Sequence, residues 1–197
     1  GQDALLFGWL QTLYPIWAKM GPEHILVSAQ VGLAELAMSG CTLTSDHLYL
    51  YPNGVRLEDT IEAAESIGLR LHATRGAMSI GEDDGGLPPQ SLVEDEAAIL
   101  NDSIRVVDAF HDAAPGAMVR IGLAPCSPFS VSRELMRDAA ILARDKGVML
   151  HTYLADNDDD IHHEFHSSSS SNQQHINYVD DKIAGNKPLW VNFGTRP

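Results

Sequence analysis

Apolar positions along this chain follow two rhythms in turn, a three-to-four-residue period and short unbroken runs, and the alternation predicts helix and strand successively. Leu5, Leu6, Trp9, Leu10, Leu13, Ile16 and Trp17 fall at helical spacing, so Asp3 is expected to cap a packing helix running to about Met20. Pro22 suits the first turn of a second apolar helix reaching Met38, and Ser39-Gly40 follows where helices commonly stop. Thr and apolar residues make Cys41 to Leu50 a strand, with Asp46 and His47 at its polar exit and Pro52-Asn53-Gly54 turning the chain beyond.

The rhythm then repeats. Leu57 to Ile67 reads as a helix ended by Gly68, Leu69 to Gly76 as a strand with a polar tip, and Gly81 to Pro89 as a long exposed loop. A helix is expected from about Ser91 to Asp112, with Leu92, Ala97, Leu100, Ile104, Val107 and Phe110 as its buried stripe. Ala117 to Ala124 is the next strand, tipped by Pro125-Cys126-Ser127-Pro128. Ser130 or Ser132 can cap a helix over Arg133 to Lys146, which Gly147 terminates. The short run Val148, Met149, Leu150 suits a buried strand that delivers His151, Tyr153 and Asp156 at its far end.

Strand and helix thus alternate with connections of helical length, the pattern of parallel βαβ units with right-handed crossovers. The expected class is α/β, a partial (β/α)8 barrel of TIM type, because 197 residues fall short of the roughly 250 of a complete one. Parallel strands should then bring His47, Arg75, Cys126 and Tyr153 to one face of the sheet. Residues 1–161 form the expected barrel part. From His162 to Pro197 the periodicity is lost, a serine run occupies Ser167 to Ser171, and an irregular or low-complexity tail is expected with one β-prone run, Leu189 to Phe193.

Composition narrows the options. A formal charge of -14 and a pI near 4.8 repel phosphate backbones, so a nucleic-acid polymer is not an expected partner. No apolar run reaches the roughly 18 residues that span a bilayer, so no membrane is expected either. Cys41 and Cys126 lie in separate segments without C-x-x-C spacing, which fits a reducing cytoplasm. The first ten residues show no secretory signal and no initiator Met, which suggests that upstream sequence is missing.

Several side chains carry candidate chemistry. Arg75 at a strand exit can present paired donors to a purine carbonyl or ring nitrogen, and is the candidate substrate-binding residue. Asp46 with His47, and His72, stand at other exits. Cys126 is a nucleophile only with a base beside it and is otherwise packing. His162 and His166 have the i, i+4 spacing of zinc sites, but His163 stands where H-E-x-x-H has Glu, so a solvated turn is the default. The acidic run Asp156 to Asp160 lacks calcium-loop spacing and reads as solvated.

Gly147 to Asp156, GVMLHTYLAD, resembles the fifth-strand motif H-T-H-L-A-E of the amidohydrolase superfamily's nucleobase deaminase branch. Together with LFGWLQTLYPIWA, SGCTLTSDHLYLYPNG, LHATRGAMSIGEDDGGLPP and APCSPFSVSRELMRDAA it is similar to the bacterial 8-oxoguanine deaminases and hydroxyatrazine-hydrolase-like enzymes. The similarity runs from about Gln2 to Ile161. It implies a (β/α)8 metallo-hydrolase in which a divalent metal, zinc or iron, activates the water that displaces ammonia from a nucleobase-like ring. By the same resemblance Tyr153 stands at the family's metal-binding His and Asp156 at the catalytic, proton-shuttling Glu; His151 beside Tyr153 reads either as a donor next to the metal position or an alternative ligand, or equally as a satisfied structural residue. The family's H-x-H pair would precede Gly1, and its later His and Asp ligands find no match after Ile161. Two functions stay open: an aminohydrolase acting on a small nucleobase-like molecule, with a homo-oligomer among its open states, or a non-catalytic fragment or diverged derivative serving in binding. Little or no deaminase activity is expected of this chain alone.

Overall fold

The computed structural model describes residues 3–153 and 190–192. Helix α1 spans Leu6–Trp17, and α2 spans Pro22–Met38 with Pro22 in its first turn and the Gly21 N–H donated to His24 Nδ1. α1 starts after Leu5, which makes no side-chain cap, so the expected cap at Asp3 is not used. Strand β1 is Leu43–Leu48 and α3 is Leu57–Ile67, where Asp59 accepts the Arg56 N–H and Gly68 closes the helix at φ +79°. Strand β2 is Arg70–Ala77.

Helix α4 covers Glu96–Phe110, later in the chain than the sequence predicts. Residues Gln90–Leu92 form a separate 3₁₀ turn, and Asp95 caps α4 by accepting the Ala98 N–H. Between them the Glu94 N–H is donated to Met78 O, 2.9 Å away, so this stretch is drawn onto the end of β2 and cannot join the helix. Strand β3 is Val119–Pro125, α5 is Arg133–Lys146 with Ser132 accepting the Leu135 N–H, and β4 is Met149–Tyr153. A short strand β5, Trp190–Asn192, completes the described elements.

The sheet runs β1-β2-β3-β4-β5 and every pairing is parallel, as expected for β1 to β4. Register sets Ser45 opposite His72, His47 opposite Thr74, Thr74 opposite Gly122 and Gly122 opposite Met149. One face of these strands carries Leu71, Ala73, Ile121, Leu123 and Leu150 into the main core, against Leu57, Ile61 and Ala64 of α3, Val106 of α4, and Ala139 and Ala143 of α5. Each Leu, Ile or Val among them contributes about 1.5–3 kcal/mol of burial, and each alanine about 0.8 kcal/mol. Because strand side chains alternate, the opposite face carries His72, Thr74, Gly122 and His151 toward the concave side. A second cluster, Leu10, Tyr14, Leu50, Met78, Leu92 and Cys126, caps the C-terminal strand ends. The result is a parallel-strand half-barrel with α3, α4 and α5 on the convex side and α1 over the C-terminal strand ends. The expected boundary at residue 161 lies outside the described residues, and so does the tail beyond it apart from residues 190–192, where the β-prone run expected over Leu189 to Phe193 pairs with β4.

Candidate functional site at the strand ends

The C-terminal strand ends bring His47 and Tyr153 into contact. Their rings stack at 4.7 Å between centroids and 9° between planes, while Tyr49 meets His47 edge-on at 5.5 Å. His47 Nε2 lies 3.2 Å from Ala124 O. A carbonyl only accepts, so Nε2 carries the proton and Nδ1 keeps its lone pair. Burial pushes the His47 pKa down to about 4, so the imidazole is neutral at physiological pH. Tyr153 is held by its own backbone, whose N–H is donated to Cys126 O at 2.8 Å.

One layer deeper, His72 and His151 meet edge-on at 5.0 Å, and burial brings both down to about 4. Gly122 makes that contact sterically feasible, since a Cβ there would lie 2.8 Å from His72 Nε2. Among the described residues the buried His151 Nε2 has no hydrogen-bond partner. These two rings, with His111, Arg70 and Arg120, line a cavity of about 700 Å³ toward the N-terminal strand ends. At the other end Trp9, Tyr14, Tyr49, Cys126, Phe129 and Tyr153 line an apolar cleft of about 200 Å³. Burial, followed by the neighbouring Cys126, lifts the Tyr14 and Tyr49 hydroxyls above their ordinary pKa, so both stay protonated donors.

Arg75 is corrected by the structure. It shares the parity of Leu71 and Ala73, faces the helices, and is only 3% exposed. Its Nε donates to Asp102 Oδ2 at 2.7 Å, its two Nη atoms donate to Glu94 at 3.0 and 2.8 Å, and Nη1 also donates to Gly76 O. The Tyr51 ring lies 3.9 Å from its Cζ. Burial disfavours the charge, but Tyr51, Glu94 and Asp102 outweigh that and hold the guanidinium above its ordinary pKa. Its donors are engaged by the protein, because an arginine buried on the helix side must find carboxylates or leave the charge uncompensated. The expected common face therefore holds His47 and Tyr153 together, with Cys126 beside them, and not Arg75.

Asp156, the run to Asp160, His162 and His166 lie outside the described residues. Sequence reasoning took Trp9 as packing, yet it stays 37% exposed beside the cleft. It also passed over Tyr14, Tyr49 and Phe129; nearness in sequence to a strand exit was the available signal for Tyr49 and Phe129, whereas Tyr14 lies within α1 and had none. Glu94 and Asp102 were missed because nothing local marks them as partners of Arg75.

A family model for the amidohydrolase family matches residues 5–187. The chain belongs to the amidohydrolase family. Over 153 residues it is 50% identical to an 8-oxoguanine deaminase of Pseudomonas aeruginosa, covering 77% of this chain and 34% of that one. To the hydroxydechloroatrazine ethylaminohydrolase of a Pseudomonas species it is 38% identical, covering 77% and 32% respectively. The solved structure of atrazine chlorohydrolase from Arthrobacter aurescens complexed with zinc superposes with a TM-score of 0.73 at 29% identity, covering 85% of this chain and 39% of that one. This amidohydrolase chain therefore spans about a third of the length of the curated relatives it matches. Among its described residues no three His, Cys, Asp or Glu side chains converge as a metal centre requires. His47 is tied to Ala124 and Tyr153 is stacked upon it, so the described residues do not fit a metal site of this kind.

Proposed function

We propose that this chain supplies the ring-facing strand ends of an aminohydrolase that removes an amino group from a purine-like or triazine-like ring, with 8-oxoguanine the first candidate, and releases ammonia. The observation that carries the reading is the 50% identity to 8-oxoguanine deaminase. That similarity favours a small nucleobase-like molecule as the partner, and two cysteines that are not joined in a disulfide suit a reducing compartment such as the cytoplasm. The chain's own residues would bind and orient the ring: neutral His47 keeps one acceptor nitrogen, and Tyr14 and Tyr49 keep their hydroxyl protons. Tyr153 stands at the family's metal-binding position, and Asp156 retains a carboxyl group for proton transfer. A divalent metal, zinc or iron, belongs to the reading through the family only, and the described residues supply no ligand set for it.

That shortage favours a second reading, a diverged amidohydrolase that binds without catalysing. Elemental analysis of the purified chain, with ammonia release measured on 8-oxoguanine, related aminopurines and triazines, separates the two. Stoichiometric zinc or iron with metal-dependent turnover establishes catalysis by this chain alone. Turnover that requires flanking gene sequence, with an H-x-H pair upstream and His and Asp ligands downstream, assigns the activity to a longer product. Failure of both arms leaves the binding protein.

A further inference from the structure

Helix α2 is apolar on more than the side it buries. Its inner side is taken up: Ile25 and Leu33 are buried, Leu26 and Ala29 pack against the main core, and Gln30 Nε2 donates to Ser66 Oγ of α3 at 3.0 Å. On the far side stand Val27, Val31, Ala34 and Met38, spaced i, i+4, i+7 and i+11, which on an α-helix is one continuous row. Val27 is 50%, Val31 58% and Met38 89% exposed. Helix α5 presents Arg133, Glu134, Arg137, Asp138 and Arg144 within its 14 residues, whereas the 17 residues of α2 hold only Glu23 and Glu35, beside His24. A helix that is apolar on both sides is normally covered on both.

We infer that this row is the contact surface for a second copy of this chain, with α2 packing on α2 about a two-fold axis. Such a contact needs a surface that matches itself. With the axis at the midpoint of the row, between Gly32 and Leu33, an antiparallel copy sets Val27 opposite Met38 and Val31 opposite Ala34, so a larger side chain meets a smaller one in each pair. Charge points to the same occupant. The chain carries a formal charge of -14, so two copies repel through most of their surface, and this row brings no ionised group to the contact. A lipid surface is disfavoured, because helices that lie on membranes carry Lys or Arg along their polar flanks and α2 has neither. The tail of the same chain is disfavoured by position: α2 lies against β1 at one edge of the sheet, while the chain leaves the described strands at Tyr153 of β4 and returns at Trp190 of β5, at the other edge. A helix of 17 residues is about 25 Å long, so this face falls at the small end of protein interfaces, below about 1,200 Å² in total, and the association is weak and concentration-dependent. The inference goes beyond the aminohydrolase reading and holds with or without turnover.

Sedimentation velocity of the 197-residue chain from about 10 to 500 µM tests it, and the mean mass should rise from 21.4 kDa toward twice that value. Val31→Glu sets like charges against each other across the axis and should weaken association by at least about tenfold. Ile141→Glu adds the same charge at an exposed position of α5 and should leave association unchanged. Thermal melts establish that each variant is folded. In a Cys41→Ser background, which removes the partly exposed thiol nearest α2, a short bismaleimide should link Val31→Cys chains into covalent dimers and leave Ile141→Cys chains single. A mass of 21.4 kDa at every concentration, association of folded Val31→Glu equal to that of the parent, or linkage through position 141 and not 31 would each overturn the inference. Two results would overturn it and name another occupant. A monomer whose melting temperature Val31→Glu lowers by several degrees would assign the row to another segment of the same chain. A monomer that floats with phosphatidylcholine vesicles, and no longer does so as Val31→Glu, would assign it to a lipid surface.

Discussion

Replacing Arg75 with Met keeps most of the buried stem and removes the one cation shared by Glu94 and Asp102. Three charge-assisted hydrogen bonds are lost, at 2.7, 3.0 and 2.8 Å, each contributing about 1.5–3 kcal/mol. The loss is partly offset because the carboxylate side chains are 26% and 29% exposed and regain water, and because Asp102 keeps its 2.8 Å contact with Arg105. A buried pair broken from one side typically costs about 3–5 kcal/mol, and this rehydration places Arg75→Met near the lower end, about 3 kcal/mol. Urea denaturation measures it, and a double-mutant cycle with Glu94→Gln isolates the coupling. The network also leaves an acid signature. Burial raises the Asp102 pKa, but Arg75 and Arg105 outweigh it and hold the folded carboxyl below its ordinary value. A depressed folded pKa gives stability that is present above the unfolded value of about 3.9 and lost as pH falls through the folded one. Arg75→Met should flatten that loss below about pH 4. A cost under about 1 kcal/mol, or a coupling to Glu94 near zero, would refute the account of Arg75 as a pillar between β2 and α4.

The inner-face histidines make a second pH window. His47, His72 and His151 sit near 4 when folded against about 6.5 unfolded, so stability should fall as pH drops from about 6.5 toward 4, by about 1–2 kcal/mol per histidine after solvent screening, as read by urea melts at stepped pH. Gly122→Ala should cost about 1–3 kcal/mol, since its Cβ would meet His72 Nε2 at 2.8 Å and Met149 O at 3.3 Å, and NMR of the His72 and His151 rings should show their contact broken. His151→Leu removes a buried nitrogen that has no partner, so it should be neutral or stabilising by up to about 2 kcal/mol in thermal melts; a clear loss would mean that Nε2 has a partner in solution.

Helices α3 and α5 were legible to the residue because each carries an apolar stripe and ends at a glycine in the left-handed region, Gly68 at φ +79° and Gly147 at φ +70°. The start of α4 was not, because Glu94 leaves the helical path for contacts with Met78 and Arg75 that no local pattern announces. β4 runs on to Tyr153, past the apolar run that predicted it, since His151, Thr152 and Tyr153 pair as a strand despite their polarity. Arg75 was read as a ligand contact because its partners Glu94 and Asp102 lie 19 and 27 residues downstream. Trp9 was read as core because helical spacing finds the stripe but not which of its members a neighbouring element fails to cover.

What decides between chemistry and support in these strands is parity. Leu48, Arg75 and Leu123 share one register row, and His47, Thr74 and Gly122 share the next. A rotamer change cannot carry a side chain from one face to the other; only a one-residue slip can, and that would expose every aliphatic residue of the main core. Arg75 is therefore confined to the helix side by the same register that places His47 inward. The following inward row pairs Gly76 with Ala124, and a Cβ at Gly76 would lie 2.3 Å from Leu48 O and 2.7 Å from the Tyr49 Cβ. Small residues here let the β1 exit close over β2, and they leave the space in which the His47 ring reaches Ala124 O and stacks on Tyr153. The stacked pair, with Tyr49 edge-on to it, forms the inner wall at the strand ends, and α1 brings Trp9 and Tyr14 to the cleft from outside. Any side chain at position 76, or one larger than alanine at position 124, would push that wall outward, so the aromatic cleft depends on two of the smallest residues in the sheet.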